Sequence, residues 1–279
     1  MRKARIFFAS VFFLSITGLF CDFTATLAGY ASWMAKLQLV PAVLSVSAVS
    51  IIAVLVLTVL MGRVYCSVIC PLGILQDVVI FCRRIFGFKS FGTYPSQNFR
   101  KVQSVMRYGF LGMFVAGGFL GLHFVWLEPY AIYGRIASSL FAPLYREGNN
   151  VLASWAANNS SYLFYAVDVV LPALGVMVFS ISSLALLVAL AAWKGRVWCN
   201  TVCPVGTALG CVSRFALVRP EIDGTNCGGC KMCERVCKAQ CISVDAKTID
   251  MSRCVACYDC LKCCPKSTIK LTVKKPMKK

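Results

Sequence analysis

The residues best suited to chemistry in this chain are its 17 cysteines. Two runs near the C-terminus, CGGCKMCERVC at 227–237 and CVACYDCLKCCP at 254–265, each contain the spacing C-x2-C-x2-C-x3-C. This spacing is typical of loops that bind a [4Fe–4S] cluster, with the fourth cysteine of each run bound to the other cluster. Zinc is the alternative metal, but zinc ribbons usually use two separated C-x2-C pairs.

The spacing predicts two ligand sets of four cysteines each. They are Cys227, Cys230, Cys233 and Cys264 for the first cluster, and Cys254, Cys257, Cys260 and Cys237 for the second. Two cysteines remain: Cys241, which we expect to be a small buried side chain, and Cys263, which also fits a C-x2-C spacing. The proline after Cys264 favours Cys264 as the ligand. Residues 220–275 resemble the bacterial two-cluster ferredoxins, although Lys238 stands where that family usually has proline.

A second cysteine phrase occurs twice, as GRVYCSVICPLG at 62–73 and GRVWCNTVCPVG at 195–206. Cysteines four positions apart lie on one face of a helix, so Cys66 pairs with Cys70 and Cys199 with Cys203. Three interpretations stay open: the thiols are buried packing residues, they bind a metal or cluster, or they form redox-active dithiols. If the two copies pack symmetrically, all four thiols converge at the inner edge of the membrane.

Prolines and arginines beside these thiols bear on the local backbone and on the protonation of the thiols. Pro71 and Pro204 favour a helix end or kink, because the residue before proline avoids the helical region. Arg63 and Arg196 lie one turn before the cysteines, and a nearby cation lowers the pKa of a thiol and favours the thiolate.

The composition predicts a membrane protein, since 58% of the residues are hydrophobic and only 14% are charged. Four apolar runs are candidate membrane spans: 6–21, 39–61, 107–126 and 169–193. The first run follows three basic residues, as a signal peptide does, but no small-x-small cleavage site follows it. We therefore expect the first run to be an uncleaved helix.

The loops predict the orientation of the chain. Basic residues dominate the loop at 63–107, where Asp77 is the single acid, and the loop at 127–168 is poor in them. The positive-inside rule then places both termini in the cytoplasm. In that reducing compartment the cysteines indicate metal binding or redox chemistry rather than disulfides. The net charge of +18 suits anionic lipid, and no nucleic-acid motif accompanies it.

The predicted fold class is an α-helical membrane protein with four transmembrane helices, internally duplicated, plus a small α+β ferredoxin domain of the bacterial 2[4Fe–4S] type. The predicted domains are 1–210, a transmembrane electron-transfer domain, and 220–275, the ferredoxin domain. Haem is not expected, because His123 is the single histidine and no C-x-x-C-H occurs. Neither flavin nor NAD is expected, since no G-x-G-x-x-G fingerprint follows a strand.

Taken as a whole, the chain resembles the NapH-type membrane ferredoxin subunits, which are related to the NosR-type and CcoG-type proteins. The resemblance lies in four spans, two C-x3-C-P phrases, the double-cluster domain and the stretch WLEPYAIYGR at 126–135. It implies an inner-membrane quinol dehydrogenase component of bacteria. Such a component passes electrons from the quinol pool to a partner iron–sulfur or cytochrome protein, in a system of the periplasmic nitrate reductase type.

Two alternative functions stay open: a CcoG-like reductase of copper or another metal in oxidase assembly, and a redox-sensing membrane regulator. Quinol oxidation needs an apolar slot and a polar group that takes protons. Glu128, Tyr130 and Asp168 are candidates for that role near the outer interface, and the inner face of the C-x3-C-P phrases is an equally open location.

Overall fold

The computed structural model describes residues 1–24, 26–45, 47–87, 97–120, 128–158 and 164–273. His123 and the end of the third predicted span lie outside the described residues. The described chain is rich in helix, and its short strands all lie after residue 217. We call residues 1–213 the helical part and residues 218–273 the Cys-rich part.

The first half of the helical part carries the first cysteine phrase between two helices. Its elements are α1 (Arg2–Cys21), α2 (Thr26–Lys36), α3 (Leu39–Leu44), α4 (Ala48–Met61), α5 (Tyr65–Val68) and α6 (Pro71–Ile85). Pro71 is the first helical residue of α6, where its fixed φ suits a helix and its missing N–H has no intrahelical partner to lose.

The second half repeats this order of elements. It contains α7 (Gln97–Phe119), α8 (Pro129–Ile136), a π-helical stretch (Ala137–Phe141), α9 (Ala142–Asn158), α10 (Leu174–Lys194), α11 (Val197–Thr201) and α12 (Pro204–Ser213). An apolar helix, a short cysteine helix and a helix that begins with proline follow one another as α4, α5 and α6, and again as α10, α11 and α12.

The two halves pack by a reciprocal exchange of helices. Helix α6 of the first half packs on α10, and α12 of the second half packs on α4. Likewise α1 packs on α5 and α6, whereas α7 packs on α11 and α12. We call the interface between the two halves the seam. Its core contains Tyr65, Cys66, Leu72, Leu187 and Leu209. The sequence repeat therefore has a structural counterpart in which each half completes the other.

Two of the described helices, Arg2–Cys21 and Leu174–Lys194, are long and apolar enough to cross a membrane. Most of their surface is exposed, including large apolar side chains such as Phe7, Leu14 and Val178. Exposed apolar surface on this scale fits contact with lipid. These helices indicate a membrane protein.

Four spans are not confirmed. The apolar run 39–61 is divided, because α3 ends at Leu44 and α4, of 14 residues, begins at Ala48. The N–H of Ser47 donates to the carbonyl oxygen of Ala42 (2.9 Å), and α3 packs against α4. The third run begins inside α7, whose first turns are polar and lie against the Cys-rich part.

The predicted outer loop at 127–168 is largely helical. Helix α8, the π-helical stretch and α9 run without a break from Pro129 to Asn158. Ile132, Tyr133 and Ile136 share one buried face of α8 and join the core at the seam. Apolar residues at i and i+4 bury such a face, and this signal lies within the WLEPYAIYGR stretch.

The Cys-rich part consists of two small antiparallel sheets and two one-turn helices. Its elements are β1 (Val218–Ile222), α13 (Met232–Val236), β2 (Ile242–Ser243), β3 (Thr248–Ile249), α14 (Asp259–Cys263) and β4 (Ile269–Val273). Strand β1 pairs with β4 from Val218↔Val273 to Ile222↔Ile269, and β2 pairs with β3. Each cysteine run forms a loop that leads into a short helix and returns to a strand.

The Cys-rich part rests on both halves of the helical part. Arg100 of α7 pairs with Asp250 (2.7 Å), and the N–H of Leu217 donates to the carbonyl oxygen of Val59 (2.9 Å). The N–H of Arg196 donates to the carbonyl oxygen of Lys238 (2.8 Å). These contacts bring the cysteine runs close to the C-x3-C-P phrases.

The glycines that begin the two phrases give a matched test of this docking. Gly62 (φ +76°) and Gly195 (φ +67°) both have a backbone conformation that alanine avoids, at a cost of about 1–3 kcal/mol. A Cβ on Gly195 also overlaps the carbonyl oxygen of Lys238, whereas one on Gly62 makes ordinary contacts with the tip of Met251 (3.4 Å) and the Cβ of Ala216 (3.9 Å). We expect Gly195→Ala to lower the thermal unfolding temperature in detergent more than Gly62→Ala does. Equal shifts would contradict the docking through Lys238.

Candidate metal centres

The structure brings the four cysteines of the two C-x3-C-P phrases together at the seam. Cys66, Cys70, Cys199 and Cys203 are each 4–5% exposed. Cys66, Cys70 and Cys203 belong to one buried cluster, and the sulfur atom of Cys199 accepts a hydrogen bond from Gln76 of α6, the helix that follows Cys70. The packing thus buries both thiol pairs in one region, and the convergence of all four sulfur atoms on one centre stays a prediction.

The arginine of each phrase crosses to the other half. A guanidinium N–H of Arg196 donates to the carbonyl oxygen of Cys66 (2.6 Å). In the same way Arg63 donates to the carbonyl oxygen of Cys199 (3.1 Å). Both side chains are fully buried, at 0% exposure. A buried guanidinium must have partners, and each arginine finds them in the turn that holds the opposite cysteine pair.

The glycine that ends each phrase makes room for this crossing. A Cβ on Gly73 overlaps the carbonyl oxygen of Cys66 and lies 2.8 Å from Nη1 of Arg196. A Cβ on Gly206 overlaps the carbonyl oxygen of Cys199 and lies 2.8 Å from Nη2 of Arg63. The last glycine of each phrase is therefore required for the contact that the arginine of the other phrase makes.

Arg196 acts on the thiols in the predicted direction, since it lowers their pKa, but burial acts more strongly. Burial raises the pKa of Cys70 and Cys199, and Arg196 lowers it by a smaller amount. Deeply buried thiols of this kind are poor nucleophiles. Metal binding removes the thiol proton and so overcomes this effect, which favours ligation over a reactive dithiol.

A chain of charges links the first phrase to the Cys-rich part. Asp77 of α6 pairs with Arg196 (2.8 Å), Arg5 (2.9 Å) and Lys238 (3.3 Å). The ammonium of Lys238 also pairs with Asp259 (3.1 Å). Burial acts to raise the pKa of Asp77, but Arg196 and Lys238 outweigh it and hold the pKa well below the usual range.

The second phrase is connected to the Cys-rich part by hydrogen bonds to neutral groups instead of by ion pairs. Arg63 donates to the side chain of Asn200 (2.7 Å) and to the carbonyl oxygen of Ser252 (3.2 Å), two residues before Cys254. Arg107 of α7 donates to the same carbonyl oxygen (3.1 Å). Gly210 occupies the position that corresponds to Asp77, and Arg107 lies against it. Dipoles therefore replace a carboxylate on this side of the seam.

The cysteines predicted to hold the first ferredoxin cluster line one cavity. Cys227, Cys230, Cys233 and Cys264 surround a space of about 140 Å³. Cys263 is absent from the lining that the described residues form, and its thiol donates to the carbonyl oxygen of Cys260 (3.4 Å). The geometry therefore agrees with the choice of Cys264 that Pro265 suggested.

The cysteines predicted for the second cluster line a second, smaller cavity. Cys237, Cys254, Cys257 and Cys260 face it, and Cys241 lies among them. The sulfur atoms of Cys237 and Cys241 are 3.6 Å apart. Cys241 is 2% exposed, as expected for a small buried side chain, and its thiol also contacts a predicted ligand.

The two cysteine groups of the Cys-rich part each line a space instead of meeting at a point. Within the described parts of the chain, no three Cys, His, Asp or Glu side chains form a group that could hold a metal ion. A [4Fe–4S] cluster presents four iron corners, each of which takes one thiolate. The donor set of four thiols, repeated three times, fits that cofactor.

The residues predicted to bind quinol are only partly brought together. Glu128 is 3% exposed and accepts hydrogen bonds from the N–H groups of Tyr130 (3.1 Å) and Ala131, so it caps α8. Burial, the largest cause, raises the pKa of Glu128 to about 7 against these two bonds. Tyr130 packs on Phe20. No hydrogen bond or ion pair in the described structure joins Asp168 to either residue.

Sequence reasoning missed Asp77 and Lys238 as partners in one network. Asp77 did carry a signal, because it is the single acid in a basic loop. Lys238 also stood out, since it replaces the proline that usually follows the fourth cysteine. Gln76, whose amide donates to the sulfur atom of Cys199 (3.4 Å), carried none.

Two segments of the chain match a family model of iron–sulfur proteins. The family model of a 4Fe-4S binding domain (Fer4_5) matches residues 44–89 and 174–221. Each match contains one C-x3-C-P phrase, so the iron–sulfur family model covers the seam thiols. No solved structure matches the chain significantly.

Three curated relatives extend the comparison. An uncharacterised protein of Methanocaldococcus jannaschii is 28% identical over 52% of this chain. The ferredoxin-type protein NapH of Haemophilus influenzae is 25% identical over 80% of it, and the putative electron transport protein YccM of Escherichia coli is 24% identical over 85%. The chain spans 61%, 67% and 58% of the lengths of these relatives.

These relatives imply iron–sulfur electron transfer with a redox partner, and the described helices agree with a membrane location. The doubled match falls on the two halves that complete one another in the fold. The chain is similar to the NapH ferredoxin-type protein over 80% of its length and contains two matches to a 4Fe-4S binding domain.

Proposed function

We propose that the chain is an inner-membrane electron carrier with three [4Fe–4S] clusters, acting as the quinol dehydrogenase component of its system. Two clusters lie in the Cys-rich part, and the third lies at the seam between the halves. Such clusters supply one-electron transfer. The observation that carries this proposal is the reciprocal contact of Arg63 and Arg196 across the four buried thiols, which also links the seam to the second ferredoxin site.

The ligand sets follow from the donor groups. In the Cys-rich part they are the two sets that the spacing predicts, with Cys264 in the first and Cys237 in the second. At the seam they are Cys66, Cys70, Cys199 and Cys203. Four thiolates make any such centre anionic, and Arg63 and Arg196 supply buried positive charge beside it.

Two short links support electron passage between the seam and the second ferredoxin site. Lys238 directly follows the ligand Cys237, and its carbonyl oxygen accepts a hydrogen bond from Arg196 (2.8 Å). Arg63 joins the turn of Cys199 to Ser252, two residues before Cys254. Each of these hydrogen-bonded positions is therefore only one or two residues away from a predicted ligand of the second ferredoxin site.

The orientation proposed is multi-pass, with both termini in the cytoplasm. The basic start of α1 supports it, because Arg2 pairs with Asp259 of the Cys-rich part (2.8 Å). The electrons would come from quinol, as the family resemblance implies, and leave to an iron–sulfur or cytochrome partner of the periplasmic nitrate reductase type.

Iron content tests the third cluster. We expect anaerobically purified protein to contain about 12 iron and 12 sulfide per chain, since each cluster has four of each. The double variants Cys66→Ser/Cys70→Ser and Cys199→Ser/Cys203→Ser should each lose about four iron, because one cluster needs both halves. Iron and acid-labile sulfide assays measure this.

The control is Cys82→Ser, which changes an exposed cysteine outside the three groups and should leave the iron content unchanged. A wild-type value near eight, unaffected by the double variants, would contradict the seam cluster. It would favour copper reduction by free thiols, as in the CcoG-like alternative.

A second prediction concerns the adjacent pair Cys263 and Cys264. We expect Cys264→Ala to remove or convert the first ferredoxin cluster, with a loss of up to about four iron and of one electron paramagnetic resonance signal after dithionite reduction. Cys263→Ala should keep both, because Cys263 is not among the residues that line the cavity. The reverse pattern would assign the ligand to Cys263.

A further inference from the structure

A cavity of about 300 Å³ lies where α1, α6 and the Cys-rich part meet. Its walls differ in character. One side is apolar, with Ile6 and Ala9 of α1 and Val78 and Phe81 of α6. The other side is charged and is formed by Arg2, Arg5, Asp77, Arg84, Lys238 and Asp259.

The apolar side opens to the exposed surface of the helices. Ile6, Val78 and Phe81 are 44%, 43% and 64% exposed, on the same helices whose other apolar residues are exposed. In a membrane this surface meets lipid. The cavity therefore suits a small amphipathic molecule that enters from the bilayer with a polar group foremost.

The charged end lies between two of the proposed redox sites. Asp77 pairs with Arg196 (2.8 Å), and Arg196 donates to the carbonyl oxygen of Cys66 (2.6 Å). Asp259 lies between Cys257 and Cys260 in the sequence and begins α14. Lys238 spans the two carboxylates, at 3.3 Å from Asp77 and 3.1 Å from Asp259. A molecule bound here contacts residues attached to both sites.

We propose that this cavity binds the headgroup of a quinol, an inference that rests on the function proposed above. The carboxylates accept hydrogen bonds from the quinol hydroxyls, and the ammonium of Lys238 favours a deprotonated quinol oxygen. A quinol that loses both O–H hydrogens becomes a quinone. Its two protons would go to water beside Arg2, which is 38% exposed, and clusters held by the neighbouring cysteines would take its two electrons one at a time.

The competing location is the α8 region around Glu128 and Tyr130. There Glu128 caps α8, and neither Glu128 nor Tyr130 is among the residues that line the α1–α6 cavity. The α1–α6 cavity instead combines volume, an apolar entrance and charged groups next to two cysteine sites. These features distinguish the two locations experimentally.

The test uses the full chain in detergent under anaerobic conditions. The probes are decylubiquinol and menadiol as reductants, and an azido-quinone as a photoaffinity label mapped by peptide mass spectrometry. Ser10→Trp fills the cavity from its rim, since Ser10 lines it and is exposed. Val78→Trp fills it from the facing wall. Leu14→Trp is the control, with equal bulk on an exposed position of α1 that is not among the lining residues.

We expect the label in peptides of α1 and α6. Cluster reduction by quinol should slow at least about tenfold in both cavity variants and stay unchanged in the control. Reduction by dithionite and the iron content should match the wild type in all variants, which tests the proposed function separately. Label at α8, or normal quinol reduction in variants with full iron, would overturn the cavity assignment, as would a wild type that no quinol reduces.

Discussion

Each half of the helical part supplies an arginine that holds the cysteine turn of the other half. Neither Arg63 nor Arg196 finds its carbonyl partner within its own half, and both are fully buried. Removal of one partner from a buried charge typically costs about 3–5 kcal/mol. The seam therefore forms only when both halves are folded together, and the last glycine of each phrase is fixed by the same crossing.

The crossing has different consequences on its two sides. On one side Asp77 gathers Arg5, Arg196 and Lys238, so α1, the second phrase and the Cys-rich part share one carboxylate. On the other side Gly210 replaces that carboxylate, and Arg63 and Arg107 use the carbonyl oxygen of Ser252. A duplicated scaffold thus carries one acidic and one neutral connection to the same ferredoxin-like part, and the α1–α6 cavity lies on the acidic side.

Local patterns in the sequence are enough to predict candidate cysteine sites, because ligand spacing is set by a few neighbouring residues. The grouping of Cys227, Cys230 and Cys233 with Cys264 agrees with the cavity that they line. The crossing of Arg63 to Cys199 joins residues 136 positions apart, so no local pattern contained it. The end of α3 and the start of α4 fall within a run whose overall composition predicts one apolar span, although Ser45 and Ser47 interrupt it, and helix α8 falls within a stretch interpreted as a loop.

In the function proposed here, the two C-x3-C-P phrases together form one iron–sulfur site. The most direct measurement is an iron-edge anomalous difference map from crystals of the anaerobically purified protein. If the seam holds a cluster, we expect a strong peak enclosed by Cys66, Cys70, Cys199 and Cys203, in addition to two peaks in the Cys-rich part. Two ferredoxin peaks with none at the seam would contradict it.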